Sequence, residues 1–77
     1  MRLSSPVRSI TQSESDVVVR TDREELRASR VVVAVPPVMA ARIEYAPGMP
    51  AARDQLGQRM PMGATVKCIA LYDRAFW

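Results

Sequence analysis

Lys67 is the only lysine among the eleven basic side chains, and it sits in an apolar run, Ala64-Thr65-Val66-Lys67-Cys68-Ile69-Ala70-Leu71-Tyr72. If that run is a strand, side chains alternate between faces, and Lys67 shares its face with Thr65, Ile69 and Leu71. An ammonium on an apolar face is costly to desolvate, so it must snorkel, find a partner or lie beside a polar ligand. Lys67 is therefore the first candidate for chemistry. Cys68 points to the opposite face, where a free thiol commonly acts as a small hydrophobe.

The remaining side chains offer little else that reacts. Histidine is absent, which removes the commonest general base and the commonest zinc ligand, and no metal site is expected. A single cysteine excludes an intramolecular disulfide. Glu14, Asp16, Asp22, Glu24 and Glu25 read as turn residues, and no carboxylate pair has a spacing that argues for acid–base catalysis. Met49, Met60 and Met62 read as packing or loop residues.

The formal charge of +3 comes from scattered arginines that form no basic run and are not interleaved with aromatics. Charge alone is only an electrostatic footprint, so nucleic acid is not an expected partner. No apolar stretch approaches the roughly 20 residues that span a bilayer, and the N-terminus lacks the apolar core of a signal peptide. The expectation is a soluble, cytoplasmic chain with no membrane segment.

The elements that must position Lys67 follow from pattern. A strand is expected over residues 6–12, a turn at Ser13-Glu14-Ser15-Asp16, and a second strand from Val17-Val18-Val19, together a hairpin. Asp22-Arg23-Glu24-Glu25 breaks the apolar pattern before a third strand over residues 27–35. Its second half, Val31-Val32-Val33-Ala34-Val35, does not alternate, which predicts a strand covered on both faces. Pro36-Pro37 ends it. A short helix over residues 38–42, an extended Ile43-Glu44-Tyr45 and a loop at Pro47-Gly48-Met49-Pro50 come next. Pro50 suits a helix first turn, and Ala52, Leu56 and Met60 recur every fourth residue, on one helical face. Gly57 weakens that helix by about 1 kcal/mol relative to alanine. Pro61-Met62-Gly63 ends it before the long strand carrying Lys67. The fold class is thus a mixture of α and β: a hairpin, a buried strand, short helices and a long strand. A 77-residue domain buries only about 60% of its unfolded surface. Either the chain oligomerises or it is a piece of something larger.

Four blocks, in this order and spacing, resemble the flavin-containing monoamine oxidase family: Pro6-Val7-Arg8-Ser9-Ile10, VVVAVPP at residues 31–37, IEYAPGMPAARDQL at 43–56 and RMPMGATVKCIALYDRAFW at 59–77. The resemblance runs from about Leu3 to Trp77. It implies part of a glutathione-reductase-like FAD-binding fold with an inserted substrate domain. Residues 1–37 would belong to the FAD-binding domain, as its hairpin and buried strand, and residues 38–77 to the start of the substrate-binding domain, both incomplete. By the same resemblance Val7 gives backbone hydrogen bonds to the adenine end of FAD, and Lys67 holds a water near the flavin N5. The implied reaction is oxidation of an amine to an imine, with electrons passing to FAD and then to O2, giving hydrogen peroxide, an aldehyde and ammonia. Flavin performs the redox step while protein groups orient it and adjust its electronics.

Departures from the family pattern set the expected scope. A G-x-G-x-x-G turn is absent, since Gly48, Gly57 and Gly63 lie too far apart, and neither the family's aromatic cage nor its C-terminal flavin-binding segment is present. The resemblance therefore implies an internal fragment, inactive alone, of an enzyme whose partners are a small amine and O2 and which could be a homodimer. Other flavoenzymes of the same fold, acting on polyamines, L-amino acids or desaturase-type substrates, are the competing enzyme reading. A small basic binding module that folds as an oligomer is the reading from another class.

Overall fold

The computed structural model describes residues 1–77, and its first three strands form an antiparallel meander. β1 (Val7–Gln12) pairs with β2 (Val17–Thr21), and β2 pairs with β3 (Glu25–Ala28). Both tight turns use one device, a hydroxyl side chain that accepts backbone N–H groups further along the chain. Ser13 Oγ accepts from the N–H of Ser15 at 3.3 Å and of Asp16 at 3.1 Å. Thr21 Oγ1 accepts from the N–H of Arg23 at 3.2 Å and of Glu24 at 3.1 Å. In each case the backbone N–H of that same residue donates to the carbonyl three positions on, at 2.9 Å.

A fourth strand, β4 (Glu44–Ala46), lies parallel to β1 on its other side and gives the sheet order β3-β2-β1-β4. The register places Ile10 opposite both Val19 and Tyr45, and Val19 opposite Leu26, so these residues share one apolar face with Val17. Ser9, Thr11, Arg20, Glu25, Arg27 and Glu44 fall on the other, polar face. Ile10 and Val17 are buried, and with Ala40 they are the whole apolar core.

The valine run at residues 31–35 corrects the expectation of a doubly covered strand. It pairs with nothing, and β3 ends at Ala28. Val31 and Val33 line the same two clefts as Ile10, whereas Val32 is 88% exposed. The run therefore turns Val31 and Val33 toward the apolar face of the sheet, yet both stay exposed, at 36% and 39%. Without a strand beside it to offer ladder partners, the run forms no strand of its own.

Pro36 and Pro37 then start α1 (Pro37–Ala40), one residue earlier and two residues shorter at its end than the pattern suggests. Proline at the first helical positions has its φ already set. Tyr45 of β4 donates from its hydroxyl to the Ala40 carbonyl at 3.1 Å, tying the helix end to the sheet. α2 (Ala51–Arg59) is capped by Pro50. Its expected apolar stripe, Ala52, Leu56 and Met60, stays exposed, and the buried residue is Gly57, packed against α1. A Cβ added at Gly57 would lie 3.6 Å from the Ala41 Cβ and 3.9 Å from the Pro37 carbonyl oxygen, ordinary contact distances, so the interface has room for a methyl group there.

Residues 61–77 form neither helix nor strand, which corrects the expected long strand around Lys67. A strand needs a ladder partner for its backbone groups, and this segment has none. Ile69 is 93% and Leu71 98% exposed. Beyond them, Tyr72, Phe76 and Trp77 stack edge to face, with ring centroids 4.9 and 5.2 Å apart. The result is a mixed sheet with two short helices and an extended C-terminal segment.

Candidate functional site

Val7 opens β1, where the chain enters the sheet after Pro6, and it is half-buried. The ladder is irregular here. Val7 pairs with Thr21 and Ser9 with Arg20, so Arg8 is the extra residue of a β-bulge. A bulge bends its strand and redirects the adjoining backbone. Beside it lies a cleft of about 590 Å³, walled by Val7, Ile10, Val19, Val31 and Val33, with Ser5 and Arg8 among its polar residues. Apolar walls with a few polar groups at the rim are the usual build of a small-molecule site. Such a cleft suits a flat ring with apolar faces and hydrogen-bonding edges, so the residues present fit an aromatic heterocycle.

Ion pairs tie the strands and turns of the meander together, and one of them includes Arg8 of this cleft. Arg8 donates from Nε to Asp22 Oδ1 at 2.7 Å and from Nη2 to Oδ2 at 2.6 Å, a two-point fork. Arg20 donates to Glu25 at 3.0 Å, Arg27 bridges Asp16 at 3.2 Å and Glu25 at 3.3 Å, and Arg2 pairs with Glu24. These partners shift the carboxyls predictably. The hydrogen bond from Arg8, reinforced by its charge, holds Asp22 below the usual carboxylate range. Glu25 is lowered in the same way, first by the hydrogen bond from Arg20. The Ser13 hydroxyl lowers Asp16, with Arg27 assisting. Four of the five acidic residues expected only to shape turns are therefore paired with arginine.

Lys67 lies elsewhere, on the exposed C-terminal segment, and lines none of the three clefts. Within these 77 residues Val7 and Lys67 are not brought together. Cys68 is exposed beside Lys67, not turned into a core. Sequence reasoning missed the Arg8–Asp22 fork, the wall made by Val31 and Val33, and the Tyr45 hydroxyl bond. The fork was the most accessible of these, because pairing the hairpin residue by residue carries Arg8 to the end of β2. A second cleft of about 490 Å³ separates α1, β4 and α2 and includes Tyr45, Arg53, Asp54 and Gly57.

Comparison with known proteins shows the family over the whole length. The model of the family described as flavin containing amine oxidoreductase matches residues 1–77, and the chain belongs to that family. A probable flavin-containing monoamine oxidase A of Dictyostelium discoideum is 49% identical over 76 residues, covering 97% of this chain and 17% of that protein. An L-amino acid dehydrogenase of Synechocystis is 44% identical over 75 residues, covering 97% of this chain and 16% of that protein. The solved structure of a cyclohexylamine oxidase from Brevibacterium oxydans superposes with a TM-score of 0.65 at 36% identity, over 69% of this chain and 12% of that one. The chain thus spans a small part of the length of the curated relatives it matches. No helix is long and apolar enough to cross a membrane.

Proposed function

We propose that residues 1–77 are an internal segment of an FAD-dependent amine oxidase, an enzyme that oxidises a small amine to an imine. Residues 1–37 belong to its FAD-binding domain, of glutathione-reductase-like fold, and residues 38–77 open its inserted substrate domain. The observation that carries this reading is family membership over the full segment. The cleft beside Val7 supports it, because its apolar walls and few polar groups suit a heterocycle.

In this reading Val7 holds the adenine end of FAD through its backbone. Ile10, Val19, Val31 and Val33 would exclude water from the ring faces, which strengthens hydrogen bonds made at its edge. Bound FAD supplies the redox chemistry, accepting the electron pair from the amine and passing it to O2 as hydrogen peroxide. Lys67 would act at the substrate side, its Nζ donating a hydrogen bond to a water held near the flavin. An ammonium has three donors on a flexible stem, so it can hold such a water while keeping a second contact. Neither role is complete within the 77 residues, and the segment alone is inactive.

The test uses the complete polypeptide that carries this segment. It should bind one FAD per chain and produce peroxide with simple amines or diamines, whereas the isolated 77-residue chain should do neither. A complete polypeptide without flavin would end this reading. The likeness to an L-amino acid dehydrogenase favours one second reading, an L-amino-acid substrate. A panel of amines, diamines and L-amino acids separates the two by which class turns over.

A further inference from the structure

We propose that Arg8 and Asp22 form a positioning pair for the cofactor: their two-point ion pair locks the bulge at the start of β1 and so sets the Val7 backbone on its cleft. This rests on the reading of Val7 given above.

The argument starts from the bulge. Arg8 is the extra residue between the Val7–Thr21 and Ser9–Arg20 pairs, so the regular ladder does not hold it. An unsecured strand can slip by one residue, and a one-residue slip turns every side chain to the opposite face. At this position a slip would carry Val7 off the wall it shares with Ile10 and Val19. The guanidinium fork opposes that motion. Two bonds of 2.7 and 2.6 Å to the two oxygens of one carboxylate fix direction as well as distance.

Asp22 is itself anchored. It follows Thr21, whose hydroxyl accepts the N–H groups of Arg23 and Glu24 and whose N–H donates to the Glu24 carbonyl. The fork therefore ties the bulge to a turn already closed by three hydrogen bonds. Stability alone explains the pair poorly. Both side chains are more than half exposed, at 62% and 51%, and exposed ion pairs contribute little to folding. Arg8 also lines the cleft, but its fork is occupied by Asp22, so it acts on the ligand through the backbone of Val7.

The experiment measures FAD affinity of the complete polypeptide, stripped of flavin and titrated with FAD by fluorescence, alongside its thermal midpoint. Asp22→Asn and Arg8→Lys should each weaken FAD binding about three- to tenfold, because neither retains a two-point charged fork. The double variant should be no worse than the weaker single variant. Asp22→Glu, which keeps the carboxylate, should restore most of the affinity. Glu25→Gln breaks ion pairs of similar exposure away from Val7, and it should leave FAD affinity unchanged even where it lowers the midpoint. Wild-type affinity in both single variants would overturn the positioning role while leaving the function intact, as would losses that track the midpoint in every variant, Glu25→Gln included. Absence of FAD binding in the wild-type protein would overturn both together.

Discussion

At the scale of single residues, the two candidate positions differ in how sequence reveals them. Lys67 stands out by type, as the one lysine in an apolar run, although the strand expected to orient it is not formed in this chain. Val7 is invisible by type, because the backbone contact proposed for it would leave no side-chain signature, and only resemblance to a family singles it out. In the proposed enzyme, Lys67→Met should slow either reduction of the flavin by amine or its reoxidation by O2, by about tenfold or more if a water held by Lys67 acts as one positioned proton-transfer group does. Stopped-flow measurement of both half-reactions checks this, and unchanged rates in both would remove Lys67 from the chemistry. Tyr45→Phe tests a structural residue instead. It deletes the bond to the Ala40 carbonyl, which also accepts the Ile43 N–H at 3.1 Å and so keeps a partner. The cost should be modest, about 0.5–1 kcal/mol in a urea titration of the complete protein.

At the scale of elements, the hairpin, both turns, the short helix after Pro36 and the helix after Pro50 were legible because local chemistry decides them. Serine and threonine hydroxyls close the turns, and prolines start the helices. The valine run and the Lys67 segment were misread for one shared reason: composition records a preference for extended backbone but cannot say whether a ladder partner is present. The α1–α2 contact also escaped pattern reading, since Gly57 shows in the sequence only as a weak helix former and is also the residue buried against α1. Gly57→Ala should stabilise by about 0.5–1 kcal/mol, because the new Cβ meets Ala41 at ordinary contact distance. Gly57→Leu should destabilise by about 1–3 kcal/mol through overpacking, with chemical denaturation distinguishing the two. The meander carries a pH signature as well. Asp16, Asp22 and Glu25 have carboxyls lowered by their partners, so what they contribute is fully present above the ordinary carboxylate range. It is lost as pH falls through their lowered folded-state values. Thermal midpoints of the complete polypeptide, measured downward from neutral pH, should fall below about pH 4, and Asp22→Asn should flatten that fall slightly, as suits an exposed pair; an identical acid profile in the variant would show that the Arg8–Asp22 pair contributes nothing to the fold.

At the scale of the whole molecule, only four of 77 residues are buried, and the radius of gyration is 19.2 Å. A compact domain of this length has a radius of roughly 11–12 Å. So small a core cannot offset the conformational entropy of ordering the chain. The isolated 77 residues should accordingly show no cooperative unfolding transition by circular dichroism, and a sharp sigmoidal melt would contradict that expectation. In the proposed enzyme, the exposed valines, Ile69, Leu71 and the terminal aromatic cluster are surfaces for other parts of the same protein. The central claim is that this segment works inside a flavin-dependent amine oxidase. Its most direct test is anaerobic addition of amine to the complete polypeptide while flavin absorbance is followed. The account predicts bleaching by one equivalent of amine per flavin, with colour returning when O2 is admitted; a bound flavin that no amine or amino acid bleaches would contradict it.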